Sequence, residues 1–177
     1  MRTLGAVLAG GRSSRFGSDK AEALLGGRPL LDHAIDALRP YCDGVAVVGR
    51  ETGRVLSIAD WPAPDLGPLG GLAGALNHAL DNGFDQVLSV PVDAAFLPAD
   101  LRALLEPAPA CLASQPVIGL WPALTAGAIE EILFGSDNHS LRHFADRIGA
   151  RLVRTAASPA NINTPQDLER LEHRHGL

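Results

Sequence analysis

Leu8-Ala9-Gly10-Gly11-Arg12-Ser13-Ser14-Arg15-Phe16-Gly17-Ser18-Asp19-Lys20 takes over from a short apolar run, residues 3–8, and leads into a turn and an amphipathic run. A glycine-rich loop at the carboxyl end of a first strand is where open α/β sheets place their ligands. Gly10 and Gly11 lack a Cβ, so the backbone can approach a ligand and aim successive N–H groups into one anion-binding concavity. Arg12, Arg15 and Lys20 add cationic donors, and Ser13, Ser14 and Ser18 add hydroxyls. Such a loop suits a polyphosphate.

Two common phosphate motifs are excluded by spacing. The G-x-x-x-x-G-K-[ST] loop fails because Ser18 and Asp19 follow Gly17, and Lys20 is followed by Ala21. The G-x-G-x-x-G fingerprint fails because the glycines stand at 10, 11 and 17. What remains is L-A-G-G-x-S-x-R-x-G-x-D-K.

Outward from this loop, strand-like and helix-like segments alternate, which predicts an α/β architecture with a mostly parallel central sheet. Gly26-Gly27 marks a tight turn, Pro29 suits a first helical turn, and Leu30, Leu31, Ala34, Ile35 and Leu38 recur at helical spacing. Strands are expected at residues 44–48, 55–58 and 86–92, the last an almost unbroken apolar run ending at Asp93. Helices are expected at 72–80, 98–105, 124–134 and 140–148, with short extended segments at 110–113 and 116–120 forming a mixed sheet edge. Thr164 is a natural N-cap for a terminal helix, with Pro165 at its first position and Asp167 at its third. His33, Trp61, Trp121, Cys42 and Cys111 read as packing residues. Arg142, His143, Arg147, Arg151 and Arg154 read equally well as a solvated face or a phosphate site.

The 177 residues suffice for one domain, 1–177, with a substantial core. At 46% hydrophobic, 20% charged and net charge −5, the composition is that of a soluble globular protein and lacks the basic stripe that nucleic acid requires. No apolar stretch has the length of a bilayer span, and the N-terminus shows no signal pattern, so the expectation is a cytoplasmic protein without membrane association.

Five pieces occur in one order: the first loop, Gly26-Gly27-Arg28-Pro29-Leu30-Leu31, Gly67-Pro68-Leu69-Gly70-Gly71, Val90-Pro91-Val92-Asp93 and Asn161-Ile162-Asn163-Thr164-Pro165. In these the chain resembles the nucleotidyltransferases with a three-layer Rossmann-like fold, most closely the molybdenum cofactor guanylyltransferases. The resemblance implies a nucleotide-binding part, about 1–106, and an acceptor-side part, about 107–177. It implies transfer of GMP from GTP to the phosphate of molybdopterin, with release of pyrophosphate. Mg²⁺ is the implied cofactor, and transient contact with proteins that deliver or receive the cofactor product is an implied partnership.

Carried onto this sequence, the resemblance assigns Leu8, Ala9, Gly10, Gly11, Arg15, Lys20, Asp60, Gly67 and Asp93 to nucleotide binding. Arg15, Lys20 and Asp93 would be catalytic, Asp93 the metal ligand, and Asn161 and Asn163 acceptor-side residues. A carboxylate at the tip of a buried strand also suits a hard divalent cation on chemical grounds. The Gly10-Gly11 pair looks like the guanine-using members, whereas Phe16 replaces their usual methionine and Gly49 stands where some carry an asparagine. The alternatives are a nucleotidyltransferase using CTP, one using another phosphorylated acceptor such as a sugar 1-phosphate, and a nucleotide-binding module without catalysis. Joint retention of Lys20 and Asp93 favours an enzyme over the last.

Overall fold

The computed structural model describes residues 1–11, 16–156 and 159–177. Its elements run β1 (Thr3–Leu8), β2 (Leu24–Leu25), β3 (Arg28–Pro29), α1 (Leu30–Leu38), β4 (Gly44–Val48), β5 (Leu56–Ile58) and α2 (Gly67–Asp81). They continue with β6 (Gln86–Pro91), α3 (Leu101–Leu105), β7 (Ala110–Leu112), β8 (Gly119–Pro122), α4 (Ala126–Phe134), α5 (Leu141–Arg147), β9 (Arg151–Val153) and α6 (Pro165–His175).

One sheet carries the order β5-β4-β1-β6-β8-β7-β9. β5, β4, β1 and β6 are parallel; β8 runs antiparallel to β6 and β7, and β9 is parallel to β7. This is the mostly parallel α/β sheet with a mixed edge that the alternating pattern predicts. β1 is buried along its whole length. Leu4, Ala6 and Leu8 join α2, α4 and α5 on one face, while Val7 joins α1 and α3 on the other, so helices cover both faces of the sheet. A satellite cluster of Phe16, Leu25, Leu30, Ile162 and Leu171 ties the β2–β3 hairpin to α6.

The boundaries differ from expectation where packing overrides propensity. α2 begins at Gly67, five residues before the expected 72, with Pro68 in its first turn. Glycine weakens a helix by about 1 kcal/mol relative to alanine, yet Gly74 is required here because a Cβ on it would sit 2.2 Å from the Ala59 carbonyl oxygen. β8 is shifted to Gly119–Pro122 because a turn closed by Ile118 N–H on the Gln115 oxygen, 2.9 Å, uses the preceding residues. Pro29 ends β3 and stands outside the first turn of α1. Trp121 is fully buried and donates from Nε1 to Ser89 Oγ at 2.8 Å. His33 Nε2 lies 2.8 Å from the Leu25 carbonyl oxygen, a structural role.

Candidate active site

The parallel strands deliver their carboxyl ends to one border of the sheet, and the site residues are positioned there. β1 runs into Ala9, Gly10 and Gly11, with Leu8 buried as its last residue and Gly11 at φ +107°, a conformation that glycine reaches without strain. Residues 12–15, which include Arg12, Ser13, Ser14 and Arg15, lie outside the described residues. The chain re-enters with Phe16 in the satellite cluster, and a single 3-10 turn, Lys20–Glu22, follows, capped by the Asp19 side chain on Ala21 N–H.

From this turn Lys20 reaches across the sheet border. Its Nζ lies 2.8 Å from Oδ2 of Asp93, the first acid past β6. The Asp93 side chain is only 4% exposed and that of Lys20 17%. The same Oδ2 accepts the Ile162 N–H at 3.0 Å. Three distant segments of chain therefore converge on one carboxylate oxygen. The turn that presents Asp93 is closed by Ala94 N–H on the Pro91 oxygen and Ala95 N–H on the Asp93 oxygen.

A second carboxylate stands at the end of β5. Asp60 is packed against glycines: a Cβ on Gly10 would lie 3.1 Å from its Oδ2, and one on Gly49 2.7 Å from its Oδ1. Gly71 of α2 forms another wall, its Cβ position 3.4 Å from the same Oδ1. This notch exists because three residues carry no side chain. Oδ1 is buried and, among the described residues, without a hydrogen-bond partner. Burial, and then the charge of Asp65, raise the Asp60 carboxyl above the usual carboxylate range, against a backbone hydrogen bond from Asp65 that lowers it. An unsatisfied buried acceptor is costly to keep and is a place where a ligand donor would be welcome.

Gly67 opens α2 at φ +66°, exposed, whereas Gly70 and Gly71 make the close approaches of that segment to the Asp60–Trp61 stretch. Asn161 and Asn163 are exposed and flank Ile162, whose side chain is buried in the satellite cluster. Asn163 N–H and Thr164 N–H both donate to Asp167 Oδ2, and Thr164 Oγ1 accepts from Asp167 N–H, the capping box that starts α6. Most of the late basic cluster serves the scaffold. Arg147 pairs with Glu131, Arg142 with Asp146, and Arg151 donates to the carbonyl oxygens of Leu104 and Glu106. Burial raises the Cys42 thiol to about 12 and the Cys111 thiol to about 11, so neither is a nucleophile.

Gly49 and Gly71, both named from the sequence, are brought together around Asp60, whereas the Ile162 main-chain donor was not singled out there. A main-chain donor leaves no residue signature, and Gly49 follows β4 like any strand-ending glycine. Among the described residues no group of three or more His, Cys, Asp or Glu is placed to enclose a metal ion. Asp93 offers one carboxylate, the donor set of a Mg²⁺ site completed by ligand phosphates and water. The residues fit that ion on those terms.

Residues 5–152 match the family model described as the MobA-like NTP transferase domain. The chain is 36% identical to the molybdenum cofactor guanylyltransferase of Sinorhizobium fredii, over 94% of this chain and 88% of that one, and 37% identical to that of Acidiphilium cryptum, over 94% and 92%. The crystal structure of molybdopterin-guanine dinucleotide biosynthesis protein A from Archaeoglobus fulgidus superposes with a TM-score of 0.78 over 98% of both chains at 20% identity, a likeness of fold. No helix among the described residues is long and apolar enough to cross a membrane. With Gly10, Gly11, Lys20, the β6 aspartate and the α2 glycines on one sheet border, and with these relatives spanning nearly its whole length, the chain belongs to the MobA-like NTP transferase family.

Proposed function

We propose that the protein transfers GMP from GTP to the phosphate of molybdopterin, in the cytoplasm, forming the guanine dinucleotide cofactor and releasing pyrophosphate. The observation that carries this reading is the meeting of Lys20 and Asp93 on one oxygen at 2.8 Å, beyond the carboxyl ends of β1 and β6. An acceptor phosphate oxygen is anionic and needs no strong base. The new bond joins it to the α phosphorus of GTP, and the bond from the α phosphorus to the bridging oxygen of the β phosphate breaks, that oxygen leaving with pyrophosphate. Catalysis then rests on alignment and on neutralising charge.

In this reading the Gly10-Gly11 backbone and Arg15 receive the β and γ phosphates. Lys20 neutralises charge growing on the α phosphoryl group. Asp93 would hold Mg²⁺, which would supply charge neutralisation at the phosphates. Asp60 is assigned to the base: guanine offers a carboxylate two donors, N1–H and the 2-amino group, that adenine, cytosine and uracil do not present as a pair, and Oδ1 has no partner among the described residues. Asn161 and Asn163 face the acceptor. The test is pyrophosphate release with purified molybdopterin and GTP, CTP, ATP or UTP, with and without Mg²⁺. Turnover with GTP that EDTA abolishes and Mg²⁺ restores is expected; preference for CTP, or turnover indifferent to chelation, refutes the assignment.

A further inference from the structure

Lys20 pairs with Asp93, while two further carboxylates, Asp19 and Glu22, belong to its own turn. Asp19 precedes it by one residue and Glu22 follows by two. Both are occupied by arginines from the connection between β4 and β5. Arg50 Nη2 lies 2.5 Å from Asp19 Oδ2, while Asp19 Oδ1 is engaged by Ala21 N–H at 3.2 Å. Arg54 grips Glu22 with two parallel bonds, 3.1 and 3.0 Å, and reaches Asp32 in the first turn of α1 with Nε at 2.5 Å. Asp19 and Glu22 are half exposed, and exposed pairs of this kind contribute little to stability. Their effect falls elsewhere: with Asp19 and Glu22 neutralised, the Lys20 ammonium is left to Asp93.

We propose that Arg50 is a positioning residue for Lys20, holding Asp19 so that the ammonium points at Asp93 and the reacting phosphate. The inference rests on the role given to Lys20 above. Among the described residues Arg50 pairs with Asp19 and Glu22 and has no hydrogen bond to Lys20; it acts by occupying a competing carboxylate. Loss of Arg50 leaves an unneutralised anion one residue from Lys20, and Lys20 turns toward it.

The experiment compares Arg50→Ala, Arg50→Lys, Asp19→Asn and the double variant Arg50→Ala/Asp19→Asn, by GTP turnover and by crystal structures of the ligand-free proteins. Asn at 19 keeps the oxygen that caps the 3-10 turn and removes the charge. Arg50→Ala is expected to lower kcat by about 10- to 100-fold, the cost of a misplacement of order 1 Å, with KM for GTP little changed and Nζ of Lys20 on Asp19. Arg50→Lys keeps Lys20 on Asp93. The double variant restores both the position and the rate. Lys20 remaining on Asp93 in Arg50→Ala overturns the proposal, as does a double variant as slow as Arg50→Ala, which makes Arg50 a direct phosphate ligand. Absence of turnover in the unmutated protein refutes the proposed function, and the Lys20 position still decides this one.

Discussion

Removing either partner of the Lys20–Asp93 pair should cost unequal amounts, because the two are unequally buried. Lys20→Met leaves a carboxylate that is 4% exposed with no ion-pair partner among the described residues. Breaking a buried pair from one side costs about 3–5 kcal/mol. Asp93 keeps the Ile162 N–H at 3.0 Å, a charge-assisted bond, so the lower end, about 3 kcal/mol, is expected. Asp93→Asn leaves an ammonium with an open side, 17% exposed, that can turn to water, and an amide oxygen that still accepts from Ile162. Its cost is about 1 kcal/mol. In urea unfolding, with a slope of about 2 kcal/mol/M, the midpoint falls by about 1.5 M for Lys20→Met and about 0.5 M for Asp93→Asn. Both variants stay folded, since total stability is about 5–15 kcal/mol, and both lose turnover by orders of magnitude. Equal midpoints, or a larger loss for Asp93→Asn, would refute the claim that burial of the carboxylate dominates the pair.

Asp60→Asn should trade selectivity for stability. Because the folded carboxyl is raised, the native state holds more protons than the unfolded chain between the ordinary carboxylate value and the raised one. Stability therefore falls as pH climbs through that window and stays lower above it, so the variant gains stability over the parent at neutral pH and gains none below about pH 4. Its preference for GTP over ATP falls in competitive binding, and unchanged preference would remove Asp60 from base recognition. Gly119→Ala places a Cβ 2.3 Å from the Trp121 ring and should cost about 3 kcal/mol, at the upper end of overpacking, with altered tryptophan fluorescence. An unshifted urea midpoint would mean the indole has room to move.

Segments buried over most of their length were legible in the sequence: β1, β4 and β6 are near-continuous apolar runs, and the glycines after β1 and the acid after β6 stand out against them. β9 was not, because Arg151, Leu152 and Val153 are too few to show a period. The start of α2 was hidden by Gly70 and Gly71, residues that oppose a helix locally and are tolerated for the room they leave beneath Asp60 and Trp61. Lys20 and Asp93 were readable as chemical types in suitable places. Their meeting is set by the adjacency of β1 and β6, a pairing that joins residues over 80 apart in sequence, such as Thr3 with Gln86. The Asp60 notch needs Gly10, Gly49 and Gly71 together, and no local pattern connects them. The Arg50–Asp19 contact likewise spans a gap that side-chain chemistry alone does not bridge.

Both outermost strands of the sheet, β5 and β9, are three residues long. A strand from another molecule could add about two ladder bonds at either border, too few to template extension. Growth of the sheet from one copy to the next is starved at both ends, which protects the chain from edge-to-edge aggregation. Self-association would have to use helical faces instead.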